Sequence, residues 1–496
     1  MVNTLSAAKT KVVSRLKTGD EFKASLDDGR QLWVGGKRVE KVTDEPALKA
    51  GVDLLASMFD DQFTEEYADA TTYLEPTTNE IVSRSWQIPR TRQDLEDRRK
   101  MIEYTSLKTG GTFGRPPDLA PAIAVGLAAY LPTFKAKKSL VDGCSPDFAE
   151  NIESYIAFGR ENNLTASESL AGPQTDRSDP KAAEGSLLRV KSVEKGGIRI
   201  SGAKTVGSIA AQANEIFFTN LGGIQSTPAD ACIWGSVPIN TPGIKMISRE
   251  MVSQPGSDPF DHPVGHRGEE ADQFIVFDNV FVPTERIFNL GDPTAMQWYG
   301  PVCVFAHWHV LTRLAVKAEL FVGAGQMVIE VLGTDKIPAV QMMLGELIEY
   351  AQTLRAFIYA AEAKAKPTEA DVMAPDVGML TAGRLYSIQH YPRIIHILQE
   401  MCGQGLVMRF GKAAYQNPEI GHHLKDLLPG HGVSAMQKEL LMNFIWDMTA
   451  SALAGRVALF ENVNASPAPR LRARLFDEVD RKGYVAQVKK LAGMDW

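Results

Sequence analysis

Two histidines, His307 and His309, flank Trp308 in the apolar run "VCVFAHWHVLTRLAVKAEL", Val302 to Leu320. Such a pair could bind a metal, move a proton or fill a core. The surrounding pattern is helical, and at roughly 100° per residue positions i and i+2 point about 200° apart. One metal cannot readily take both rings, and at most one ring faces a given cavity. A histidine aimed inward among Met, Leu and Val sits in low dielectric, which keeps it neutral and able to accept a proton. From the residues alone, a packed core histidine competes with a catalytic one.

Two further stretches carry polar chemistry. In "GGTFGRPPDLAP", Gly110, Gly111 and Gly114 let the backbone turn tightly while Pro116 and Pro117 stiffen the chain beyond Arg115. Arg115 is thereby presented on a constrained loop, where its planar fork suits a carboxylate, a phenolate or a flavin oxygen. A loop-stabilising pair with Asp118 is the plainer alternative. In "AGPQTDRSDP", Gln174, Thr175, Asp176 and Arg177 crowd hydrogen-bonding groups into a proline-bracketed turn. Such a turn can orient a flat polar heterocycle, or be an ordinary surface turn. "GAKTVGS", with Ser208, and "FDNVFVPTERIF" complete a β module.

Other chemistries lack their signatures. There is no GxGxxG at a strand–helix junction, no GxxxxGK[ST], no HExxH and no GxSxG. The four cysteines stand far apart, which fits a reducing compartment and gives no metal knuckle. A net charge of −7 argues against a nucleic-acid partner. The basic clusters "RSWQIPRTRQDLEDRRK" and "RLRARLF" read as solvated helix faces. The N-terminus has no signal-peptide apolar core, and "LAPAIAVGLAAYLPTF" is too short to span a bilayer. A soluble, cytoplasmic protein is expected, with no membrane partner.

Three textures must position these residues. Up to about residue 150 the pattern is mostly helical, interrupted by a hairpin at "DGRQLWVGGKRVEKV". Residues 151–290 hold short β-type runs cut by Gly, Pro and Asn, which suggests an antiparallel barrel or sandwich. Residues 291–496 return to helices, with four long segments of 20 or more residues and short connections, read as an antiparallel bundle. Apolar residues on more than one helix face favour burial between subunits. The predicted class is α+β and multidomain, with a helical domain at 1–150, a β domain at 151–290 and a bundle with its tail at 291–496. This is the layout of the acyl-CoA dehydrogenase fold, an analogy that does not itself give function.

"TGDEFKASLDDGRQLWVGGKRVEKVT", "GGTFGRPPD", "GPQTDRS", "GAKTVGS" and "FDNVFVPTERIF" together resemble the two-component, reduced-flavin-dependent aromatic monooxygenases of the 4-hydroxyphenylacetate 3-monooxygenase family. "HWHVLTRLAVKAELFVGAGQ…GTDKIPAVQ" is most similar to the chlorophenol and nitrophenol branch. The resemblance implies FADH2 received from a separate flavin reductase, O2 captured as a C4a-hydroperoxide, a small aromatic substrate and a homotetramer. The cofactor carries the difficult chemistry, while the protein orients, dries and charges the site.

Position by position, the resemblance places Arg115 at the family arginine facing substrate and flavin. It places His307 at the proposed base for the phenol, with His309 as the second candidate. Gln174, Thr175 and Arg177 match a flavin-contacting turn, and Ser208 stands where the family has a flavin-contacting threonine. "TASALAGR", with Ser451 and Arg456, matches a C-terminal flavin contact. Two positions depart from the hydroxyphenylacetate enzymes: Leu119 replaces a tyrosine and Glu168 a histidine. Both are candidate substrate contacts, although a surface glutamate is the plainer reading of "ASESLAG". The alternative activity is an acyl-CoA dehydrogenase-like flavoenzyme on a non-phenolic substrate. A dehydratase with an iron–sulfur cluster lacks its cysteine ligands here.

Overall fold

The computed structural model describes residues 13–176, 178, 185–220, 228–253, 256–294, 299–464 and 467–496. Arg177 lies outside them. Helices come first, then sheets, then helices again. Helix α1 (Pro46–Asp61) starts on a proline, whose missing N–H costs nothing in a first turn. Helix α2 (Arg92–Lys108) is closed by a reciprocal Thr91–Asp94 capping box. Helix α3 (Leu119–Ala129) is buried along its whole length, and α4 (Phe148–Glu161) is capped by Asp147.

The hairpin β1 (Leu32–Val34) and β2 (Lys37–Val39) turns through Gly35 and Gly36, both at positive φ. In space it joins the central sheets. Those comprise β3 (Ala166–Ser169), β4 (Arg189–Glu194), β5 (Gly197–Ser208), β6 (Glu215–Thr219), β7 (Ile233–Pro238), β8 (Ile244–Ser248), β9 (Asp272–Pro283) and β10 (Ile287–Leu290). One sheet runs β2-β1-β8-β9-β5-β4 and the other β10-β7-β6-β3. Neither sheet closes among the described residues. Pairing is antiparallel except for β1 with β8 and β3 with β6, which are parallel. Both exceptions join strands distant in sequence, so no hairpin dictates their direction.

The C-terminal bundle is built on α5 (Val304–Leu332), α6 (Pro338–Ala363) and α7 (Val377–Cys402). Helix α5 stops at Gly333, which takes the left-handed φ of +65°. The fourth long segment is not one helix: α8 (Ala435–Thr449) ends, and Ser451 caps a new helix α9 (Ala452–Leu459) by accepting the Ala454 N–H. A π-helical turn, Phe460–Asn464, comes next. Helices α10 (Ala468–Glu478) and α11 (Lys482–Ala492) finish the chain.

The buried half of α5 fixes its rotation through polar links. The Trp308 indole donates to Glu362 Oε1 of α6 at 3.0 Å, and Arg99 of α2 binds the same carboxylate. One turn on, Arg313 and Lys317 reach the buried Glu461 of the π-turn at 2.9 and 2.7 Å. These anchors leave His307 on the side facing the sheets.

Candidate active site

A cavity of about 820 Å³ opens between the β module and the bundle. Arg115, Leu119, Glu168, His307, Arg384 and Arg474 are among the residues that line it. The wall on the β side is a bulge. The pairing of β5 with β9 slips between Lys204 and Gly207, leaving Thr205 and Val206 on the cavity surface. Val206 holds φ at +56°, a left-handed conformation costly for a β-branched residue. Such strain persists where surroundings impose it, and that is commonly at a binding surface.

Arg115 is set by backbone and side chain together. The Glu270 carboxylate accepts the Gly114 N–H at 2.8 Å and the Arg115 N–H at 2.7 Å, fixing the turn. The guanidinium stacks on the Phe460 ring, 4.7 Å from its centroid, with Arg456 on the same ring at 4.9 Å. Gly114 packs directly against that ring, where a Cβ would collide. Arg115 Nε is ion-paired with Glu168, which is buried at 8% exposure rather than on the surface. Asp118 is therefore not the arginine's partner; its Oδ2 stands 2.9 Å from His309 Nε2, a contact bent short of a full hydrogen bond.

The two histidines divide as helical geometry requires. His309 is fully buried beside Asp118, and His307 reaches the cavity. Burial first, then Arg384, Arg474, Arg115 and Arg470, hold the His307 imidazole well below its ordinary pKa. It is neutral at physiological pH. Nη1 of Arg474 lies 3.1 Å from its Nδ1 and 3.3 Å from its Nε2.

The candidates for flavin contact fall elsewhere. Gln174 is exposed and Thr175 is partly exposed; Gln174, Thr175, Ser208, Ser451 and Arg456 are not among the residues lining this cavity. Ser208 donates to Asp272 Oδ1 at 2.7 Å, and Arg456 binds Asp272 and Glu270. Burial opposes charge on Asp272, but Arg456 and Arg249 outweigh it and keep its pKa low. Ser208, Arg456 and the Arg115 turn thus join one network through Glu270 and Asp272. The sequence reading missed those acids because "GEEADQF" looks like solvated charge. It also missed Arg474, whose stretch "RLRARLF" reads as a surface helix.

Comparison with known proteins decides the family. The family model for the 4-hydroxyphenylacetate 3-hydroxylase N terminal matches residues 18–289, and that for the C terminal matches residues 294–493. The chain belongs to the 4-hydroxyphenylacetate 3-hydroxylase family. It is the oxygenase component of a two-component, flavin-dependent aromatic monooxygenase, and its cofactor is FAD in reduced form. Among relatives is the oxygenase component of 4-nitrophenol 4-monooxygenase/4-nitrocatechol 2-monooxygenase from Rhodococcus opacus, 30% identical over 91% of this chain and 86% of that protein. The 2,4,6-trichlorophenol monooxygenase of Cupriavidus pinatubonensis is 28% identical over 97% and 93%. The crystal structure of the 4-hydroxyphenylacetate 3-monooxygenase oxygenase component complexed with FAD and 4-hydroxyphenylacetate superposes with a TM-score of 0.88 at 28% identity, covering 96% of this chain and 98% of that one. An archaeal 4-hydroxybutyryl-CoA dehydratase shares the fold at 18% identity and a TM-score of 0.85. The order read from the sequence, helices, then sheets, then a helical bundle, is present.

Proposed function

We propose that this enzyme hydroxylates a phenolic or related heteroaromatic ring in the cavity between Arg115 and His307. The observation that carries the reading is an imidazole, His307, and a guanidinium, Arg115, lining one cavity, with burial and nearby arginines holding the imidazole pKa low. We take the flavin to enter the same cavity beside the substrate. Its strained bulge at Thr205–Val206 and the open backbone at Gly172 give a flat ring room to approach. When bound, reduced flavin with O2 supplies the electrophilic oxygen.

The protein's own residues then have distinct tasks. His307 accepts the phenol proton at a ring nitrogen, which raises electron density on the ring; an unperturbed phenol has a pKa of about 10. Arg115 stabilises the phenolate or a flavin oxygen. Leu119, Leu170 and Val310 exclude water. Glu168 holds Arg115 and can accept a hydrogen bond from a ring N–H or second hydroxyl, a role consistent with its loss of the family histidine. Ser208 and Arg456 shape the flavin side through Glu270 and Asp272, Ser451 does so by capping α9, and Gln174 and Thr175 reach the flavin from the loop after β3.

Further parts of the reading concern assembly and place. A separate flavin reductase supplies FADH2. A homotetramer is supported by exposed apolar side chains on the bundle, such as Met342, Val407 and Leu427, each more than 75% exposed. No helix among the described residues is long and apolar enough to cross a membrane, which accords with a cytoplasmic enzyme. The three segments 1–150, 151–290 and 291–496 serve as helical, β and bundle domains, with the 32–39 hairpin lent to the β domain.

The test supplies FADH2, O2 and a panel of 4-nitrophenol, 2,4,6-trichlorophenol, 4-hydroxyphenylacetate and hydroxypyridines. A product gaining one oxygen, with or without loss of a ring substituent, supports the proposal. Hydrogen peroxide as the sole product with every phenol and hydroxypyridine would sink it.

A further inference from the structure

We infer that Arg474, on the C-terminal helix α10, is a positioning residue for this reaction: its guanidinium holds the His307 ring at the cavity wall and keeps it uncharged until substrate delivers a proton. The inference rests on the reading of His307 as proton acceptor. Three contacts fix the guanidinium. Nη1 contacts His307 on α5, Nη2 donates to the Gly300 carbonyl at 2.8 Å, and Nε is ion-paired with Glu478. Glu478 in turn accepts from Thr381 Oγ1 of α7 at 2.9 Å. Leu471 is the buried apolar anchor of α10, at 2% exposure, so polar contacts do much of the docking.

An arginine has donors only, so it can sit against an imidazole edge only where a nitrogen keeps its lone pair. The contact therefore disfavours imidazolium, while its near-equal reach to Nδ1 and Nε2 prefers neither tautomer. When a phenol proton arrives at the ring, His307 becomes cationic beside a cation, and the substrate oxygen becomes anionic. Repulsion from Arg474 then favours return of that proton once the oxygenated product leaves, resetting the base. The other charged or titratable groups around the ring are Arg115 on the loop, Arg384 on α7 and Arg470, Asp477 and Glu478 on α10, with Glu168 on β3 and Tyr130 after α3. Glu168 and Glu478 are engaged by Arg115 and Arg474 themselves.

The experiment measures hydrogen–deuterium exchange at the Cε1 of each histidine in the apoprotein against pH, read from peptide masses. In the wild type, the His307 midpoint falls below that of the exposed His396. Arg474→Gln raises the His307 midpoint by about one pH unit or more, while Arg474→Lys, which keeps the charge, leaves it low. Thr381→Val, which loosens only the helix anchor, leaves it unmoved. An Arg474→Gln protein that melts with the wild type yet keeps the wild-type midpoint overturns the inference, as does an equal shift in Thr381→Val. Binding of 4-nitrophenol to apoprotein, read by phenolate absorbance, separates the underlying reading. If His307→Ala ionises nitrophenol as the wild type does, the base assignment fails, whatever Arg474 does to the ring.

Discussion

His307 and His309 stand two residues apart on α5 and meet opposite surroundings: the first lines the cavity, and the second lies 2.9 Å from the buried Asp118. Substitution should therefore separate chemistry from stability. His307→Ala is expected to lower phenol oxygenation by roughly 10²-fold or more with little change in melting temperature. His309→Ala should cost about 2–5 kcal/mol of stability, since a fully buried ring leaves a cavity beside Asp118. Steady-state turnover and thermal melts on both proteins check this, and the reverse pattern would exchange the two roles.

Glu168 occupies Arg115, so it competes with an anionic substrate for the guanidinium. Glu168→Gln should tighten binding of 4-nitrophenolate by roughly tenfold, or about 1.4 kcal/mol. The same change should weaken binding of ring N–H donors such as hydroxypyridines. Spectral titration reads both. Weaker nitrophenolate binding in the variant would mean that Glu168 orients Arg115 more than it blocks it.

The buried Glu461 makes an acid-sensitive brace. Burial raises its pKa, but Arg313 and Lys317 outweigh that and hold it well below the carboxylate range. A depressed folded-state pKa gives stability that is present above the unfolded value, about 4.3, and lost as pH falls toward the folded value. Glu461→Gln should thus cost about 3–5 kcal/mol at pH 7, because two buried cations lose their partner. The gap between variant and wild type in urea melts should narrow as pH drops below 4. A gap constant with pH would show that the charge is not the cause.

Lys317 should also feel this brace. Burial, partly offset by Glu461, lowers its pKa to about 8. Its charge is thus disfavoured in the folded state, and that penalty lifts as pH rises from about 8 to the unfolded value of about 10.4. Lys317→Met should flatten the alkaline limb of a stability–pH curve, measured by urea midpoints between pH 7.5 and 9.5. An unchanged limb would refute the assignment.

Val206 offers a test of the cavity wall. Val206→Gly removes a left-handed strain of about 1–3 kcal/mol, offset by lost packing and greater unfolded-state freedom. Thermal stability should therefore hold or rise slightly, while FAD binding, followed by flavin fluorescence, weakens as the bulge loosens. A clear fall in melting temperature would mean that the valine side chain, not the wall's shape, is what the fold uses.

Much of this architecture was legible because periodicity reports local structure. The helical runs around His307 and the hairpin at Gly35–Gly36 come from spacing and glycine placement alone. The split between His307 and His309 came from the turn angle of a helix. Partnerships across the chain did not show in this way. Glu168 reads as surface in "ASESLAG", yet its strand pairs with β6 deep in the fold. Arg84 and Arg98, in a cluster read as solvated, are buried; Arg98 donates to the Arg84 and Gln87 carbonyls. The break before α9 was hidden because Ser451 sits in an otherwise apolar, helix-forming run.

Gly114 and Phe460 lie far apart in sequence, yet a side chain at one has no room while the other keeps its ring. Neither can drift alone. A lineage that exchanged the glycine would have to shrink the aromatic in the same step, and with it the shared platform for Arg115 and Arg456. The two positions are therefore expected to change hands together across relatives, or not at all.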